Sequence, residues 1–382
     1  MTKLNIMKNQ KFLILSLLLI SGSVMGQNAR FSQIGSAPIQ FNPSLTGRFD
    51  GKARLAGLFS FQQTDVTKMQ HQNISLDAKF GKYRSSGDEE TPGAVVKITK
   101  EGKDEVYKKS RSLGYWGVGL NYYHYGYSKG PIDATFMSAS LARHFYNKSN
   151  KFYGFGVQAT YAQGKLDETK GVAYDREISG GTFPYPRRTA AAYKGDKSYV
   201  DFNAGAYYGM VTDAVMFELG GSLSHLFYPH NDIYNKDSET QLRHRITAHS
   251  VLRLHLNSKW GMVQKNMYWQ EGLYYRSQSL LPKDTTDREI VAFWSGVEFY
   301  KVNPVKNINV NFGFYTRSFR TMMPYLNVNL GKMANLRYSY ELPINSSKFK
   351  AYSAQRNEVA LILTYKRYTS PGTKFYKKVN FW

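Results

Sequence analysis

Between Val215 and Leu256 the chain repeats a two-residue hydropathy pattern that few folds accept. Val215, Phe217, Leu219, Gly221 and Leu223 alternate with Met216, Glu218, Gly220, Ser222 and Ser224. After a polar break, Leu242, His244, Ile246, Ala248, Ser250, Leu252, Leu254 and Leu256 alternate with Arg243, Arg245, Thr247, His249, Val251, Arg253 and His255. Successive strand side chains point to opposite faces, so each segment has one apolar and one polar face. The second polar face is basic and runs longer than a small soluble sandwich needs. Such a strand is expected in a membrane barrel, with lipid on one side and an aqueous interior on the other.

The same pattern recurs along the chain in about fourteen segments. They run from Arg54–Gln63 and Met69–Lys79, through Gly114–Tyr127, Gln241–Leu256 and Gly261–Arg276, to Leu336–Leu342 and Asn357–Tyr368. The expected fold is an all-β, transmembrane antiparallel β-barrel. With 30 Tyr, 23 Phe, 32 Gly and a mean hydropathy of −0.48, the chain is too polar for a helical membrane protein, which needs apolar runs of about 20 residues. Tyr and Phe suit the aromatic girdles of a barrel instead. The absence of cysteine excludes disulfides, thiolate catalysis and cysteine-ligated metals. The links Asp167–Lys197, Tyr228–Thr240, Ser277–Asp287 and Pro343–Ala354 fall at one barrel end by strand parity, and the short links at the other. Long links are expected outside the cell. Tyr83–Arg111, charged and loop-like, breaks that rule by falling at the short-link end.

The amino terminus carries an export signal: a basic Lys8–Lys11 region, the apolar run Phe12–Ile20, then small residues up to Gly26. The expected division is a signal peptide over 1–26, an amino-terminal arm over 27–52, the barrel over 53–368 and a periplasmic tail over 369–382. Pro38 and Pro43 argue against regular structure in the arm, which is expected to pack under or inside the barrel mouth. Export to the outer membrane makes nucleic acid an unsuitable partner for the net charge of +23. Outer-membrane lipid, including the phosphates of lipopolysaccharide, and acidic proteins remain.

Arg243, Arg245, His249, Arg253 and His255 are candidate lumen residues. Two readings stay open: they receive an acidic segment or lipid phosphate, or they close the barrel in ion pairs with Glu218, Glu298, Glu341 and Glu358. No metal or other cofactor is expected, since His249 and His255 lie about 20 Å apart along a strand. No catalytic residues are expected either, because Ser224 and His225, adjacent in a strand, should point to opposite faces. Gly117, Gly119, Gly154 and Gly156 fit barrel curvature or close approach of a plug. Tyr115, Tyr122, Tyr123, Tyr125 and Tyr127 read as a girdle.

Three patches resemble one family. The first is Phe31-Ser32-Gln33, then Asn42-Pro43-Ser44 and Gly47. The second is Gly220–Leu226, containing Ser222, His225 and Leu226. The third joins Leu336–Glu341, with Tyr338, Tyr340 and Glu341, to Asn357-Glu358-Val359. Their order and spacing resemble the PorP/SprF outer-membrane proteins of the type IX secretion and gliding machinery. Glu341 and Asn357 stand where that family usually has Asp and His. The resemblance implies a non-enzymatic barrel that supports secretion or surface anchoring of an adhesin-like cargo. Its implied partners are the cargo's C-terminal domain and periplasmic components of the same machinery. A pore or hydrophobic-solute transporter is the alternative for a barrel of this size.

Overall fold

The computed structural model describes residues 31, 33–63, 68–80, 94–98, 104–108, 113–127, 132–146, 151–166, 197–212, 214–229, 242, 244–256, 267–278, 290–303, 308–317, 321–331, 333–344 and 355–365. Its strands are β1 Ala53–Gln63, β2 Lys68–Phe80, β3 Ala94–Ile98, β4 Asp104–Lys108, β5 Leu113–Tyr127, β6 Ile132–Tyr146, β7 Lys151–Leu166 and β8 Lys197–Val211. They continue with β9 Val215–Ser224, β10 Arg245–Leu256, β11 Met267–Gln278, β12 Ile290–Asn303, β13 Ile308–Arg317, β14 Thr321–Leu330, β15 Ala334–Pro343 and β16 Gln355–Tyr365. All but β3 and β4 close into one antiparallel barrel of fourteen strands, each pairing with its sequence neighbour and β1 with β16. Closure removes every lateral sheet edge along the full-length pairs.

Alternation decides the two faces. Leu120, Val157, Leu219 and Ile246 are more than half exposed, whereas Asn121, Gln158, Glu218 and Thr247 beside them are buried. An apolar outer belt around a polar interior is what a bilayer selects. Pro324 sits within β14, and the β14–β15 pairing skips Met323 and Pro324; proline has no N–H to give a ladder.

Three expectations change. The link between β2 and β5 is not all loop: it contains the β3–β4 hairpin, a separate two-stranded sheet. The barrel therefore keeps its fourteen strands despite the long link at the short-link end. β10 begins at Arg245 and β11 at Met267, later than Gln241 and Gly261; residues 257–266 lie outside the described residues. The arm also has regular structure. Short 3-10 turns at Ile34–Ser36 and Pro43–Leu45 flank the single helical turn α1, Pro38–Phe41. Pro38 and Pro43 open their turns, where a missing N–H costs nothing.

Candidate functional site

The arm fills the interior. Phe31 packs edge-on against His71 and Tyr123 in the half of the barrel nearer the long links. From there the chain descends, and Gly47 reaches Asp77 near the other end, where its N–H donates to Oδ2 at 2.7 Å. Asn42 holds the middle: its Nδ2 donates to the carbonyls of Ala206 and Gly221, while its Oδ1 accepts from Ser44 N and Oγ. The wall is cut back to admit this contact. A Cβ on Gly205 would lie 2.0 Å from Asn42 Oδ1, and one on Gly156 would lie 2.5 Å from the Pro43 carbonyl.

The arm brings the three sequence patches together. Gln33 of the first donates from N to Glu358 Oε2 at 3.1 Å and from Nε2 to Ser339 Oγ at 2.9 Å, joining it to the third. Ser222 of the second donates to the Phe41 carbonyl at 2.8 Å. Patches some 180 and 300 residues from the arm thus share one packing problem, the seating of a plug. Tyr338 and Tyr340 lie on the alternate parity to inward Ser339 and Glu341; Tyr338 is exposed and bonds Asn357 Oδ1. Ser32 lies outside the described residues.

Charge fixes the lower arm. Arg48 Nη2 lies 3.0 Å from Glu218 Oε2, with both side chains essentially excluded from solvent. Its guanidinium stands over the rings of Phe152 and Tyr207 at 4.4 and 5.3 Å. Burial is the largest single influence and works against the Arg48 charge, but Glu218 with Tyr207, Tyr146 and Tyr115 together outweigh it and raise the pKa. Arg54 forks onto both Asp77 oxygens at 2.9 and 2.8 Å. Arg48, Arg54 and Asp77 were not candidates from the sequence. The signal was present, because Arg54 and Asp77 occupy the inward parity of β1 and β2, where an unpaired charge is costly.

The candidate lumen residues divide. Arg253 lies 2.6 Å from Glu298 Oε2 and stands over Tyr268, and His255 stacks on the same ring. His249 Nε2 faces Glu218 Oε1 at 3.6 Å. Glu341 joins Arg317 and Arg356. Arg245 instead donates to Ser224 Oγ. Arg243 lies outside the described residues. Among the described residues, no three His, Cys, Asp or Glu side chains come together as a metal site.

Two further expectations are corrected. Ser224 and His225 do not point to opposite faces; both are buried. His225 has φ 63°, a left-handed conformation that breaks strand alternation. Its Nδ1 lies 3.0 Å from Asp201 Oδ2, while Ser224 Oγ is engaged by Arg245. Tyr115 and Tyr123 are not girdle residues: they point inward, to Gly47 O and to His71 Nδ1.

A closed antiparallel barrel with an apolar belt and a plugged polar interior defines an outer-membrane β-barrel protein. The chain belongs to the PorP/SprF family, described as type IX secretion system membrane proteins, whose model matches residues 23–365. No curated protein matches the chain in sequence. Solved structures similar to it include the Ralstonia pickettii toluene transporter TbuX, at 11% identity and a TM-score of 0.42 over 90% of this chain and 96% of that one. The Pseudomonas putida toluene transporter TodX has 9% identity and a TM-score of 0.46, over 90% and 98%. A Pseudomonas aeruginosa FadL homologue has 9% identity and a TM-score of 0.42, over 90% and 100%.

Proposed function

We propose that this family member is a non-enzymatic anchoring component. It supports secretion or surface display of an adhesin-like cargo through the cargo's C-terminal domain, and couples it to periplasmic components of the secretion and gliding machinery. The observation that carries this reading is the occupied interior. An arm held by Asn42, Gln33 and the Arg48–Glu218 pair ties the barrel wall to a segment inside it, which supports a rigid post over a conduit. A docking component benefits from such rigidity, since preorganised surfaces lose less entropy on binding. The two ends of the barrel, one of them carrying the link that holds the β3–β4 hairpin, give cargo and machinery separate places to dock.

Deleting the gene is expected to abolish display of one surface protein while outer-membrane permeability stays normal. Unchanged display would refute the reading. A steady ion-selective conductance of the reconstituted chain, lost on neutralising Arg245 and Arg253, would instead establish a pore or transporter.

A further inference from the structure

Arg143 interrupts the apolar outer belt near the short-link end. Ala142 and His144 beside it are buried, while Leu141, two residues away, is exposed, so Arg143 has the outward parity. It lies three residues from Tyr146, the last residue of β6. Around it on the outward face of β5, β6 and β7 lie Gly114, Trp116, Leu141, Phe145, Tyr153 and Phe155, and no acid.

The guanidinium is held by rings and aimed at the rim. Its carbon stands over Trp116 and Phe145, 5.1 and 5.2 Å from their ring centroids. Phe80 stacks on Trp116 and Tyr153 on Phe145, which braces both rings. A Cβ on Gly114 would lie 3.4 Å from Arg143 Nη2. The side chain therefore runs toward the strand ends, over a residue that leaves it room. Ring faces attract the charge but offer no lone pairs to the five N–H donors. Among the described residues no oxygen holds those donors. Aromatic girdles lie level with the lipid headgroups, whose phosphates match the guanidinium fork. Toward the bilayer centre, exposed Leu141, Phe155 and Val157 continue the apolar face.

We propose that Arg143, Trp116 and Phe145 form a site for one phospholipid. The Arg143 guanidinium holds its phosphate, and its acyl chains lie along Leu141, Phe155 and Val157. Link length places this end in the periplasm, so the lipid is a glycerophospholipid of the inner leaflet rather than lipopolysaccharide. The site takes its lipid whether the barrel anchors a cargo or conducts a solute.

The test uses the full chain in a neutral detergent, with bound lipid counted by native mass spectrometry. Phosphatidylglycerol is expected to bind at least about tenfold more tightly than diacylglycerol with the same chains, a difference of ~1.4 kcal/mol. Arg143→Gln should remove that preference, and Arg143→Lys should restore only part of it, since an ammonium lacks the planar fork. Trp116→Leu, which keeps the surface apolar, should weaken the preference and carries the test should Arg143→Gln fail to fold. Lys151→Gln removes another outward charge at the same end and should leave the preference unchanged. Equal binding of the two lipids, or a preference that survives Arg143→Gln, would overturn the proposal. Equal losses in Lys151→Gln and Arg143→Gln would also overturn it, by showing that general charge attracts the lipid. Displacement of phosphatidylglycerol by lipid A but not by phosphatidylethanolamine would overturn it in favour of the outer leaflet. Displacement by inorganic phosphate at about millimolar concentration would overturn it in favour of a free anion.

Discussion

Replacing Arg48 by Met takes from the buried Glu218 carboxylate the guanidinium that faces it at 3.0 Å; His249 Nε2 lies farther off, at 3.6 Å from the other carboxylate oxygen. Arg48 and Glu218 lie 3.0 Å apart and essentially out of solvent. Removing one partner of such a pair costs about 3–5 kcal/mol, because the other is left buried and uncompensated. That cost falls on the seated arm, since Arg48 belongs to the arm and Glu218 to the wall. At about 1.36 kcal/mol per tenfold, the population of unseated arm rises roughly 150- to 5000-fold. The assay exploits a chain without cysteine. Ser140→Cys places a unique thiol beneath the arm, where Ser140 Oγ accepts from Thr46 Oγ1 at 2.8 Å. Its labelling by a maleimide reports how often the arm lifts. Adding Arg48→Met should raise the labelling rate within that range, and Arg48→Met with Glu218→Gln should return it to within about tenfold of the parent, as no charge is then buried alone. A single variant within about threefold of the parent would refute the claim that this pair seats the plug. The raised pKa of Arg48 adds a sign check. Its contribution is present below the ordinary arginine pKa and lost only above the folded one, so the Arg48–Glu218 pair itself should seat the arm equally well between neutrality and mild alkali, read as the labelling rate relative to that of an arm-deleted chain at the same pH, since thiolate formation speeds both alike.

Three other outcomes follow from the same geometry. Gly156→Val puts a branched side chain where a Cβ alone would lie 2.5 Å from the Pro43 carbonyl; the barrel should form while the Ser140→Cys reporter labels at the rate of an arm-deleted chain. Val157→Arg, on the exposed face of β7, should lower folding stability in lipid vesicles by about 2–4 kcal/mol if that face meets the bilayer centre, whereas Val157→Leu should be neutral. Burial lowers the pKa of His225, partly offset by Asp201. The unfolded chain then binds the extra proton first, so stability should fall as pH drops below about 6.5; thermal-unfolding scans across pH should show this slope flattened by His225→Asn.

The wall of this protein was readable in its sequence because alternation is local. Whether Leu219 meets lipid and Glu218 the interior follows from parity alone, and so did the inward basic face of β10. The count of strands followed from the same rule, since each crossing repeats it. The interior was not readable, because contacts there depend on barrel closure and on an arm with no period to follow. Gln33 meets Glu358 and Arg48 meets Glu218 only after the wall has closed around them. One left-handed residue, His225, overrode strand alternation, buried its own side chain beside that of Ser224, and moved Leu226 N one residue out of register onto the Phe202 carbonyl. Sequence determined which residues face in and which face out; tertiary structure alone decided which inward residues meet, because period two specifies a face and carries no information about a partner across the lumen.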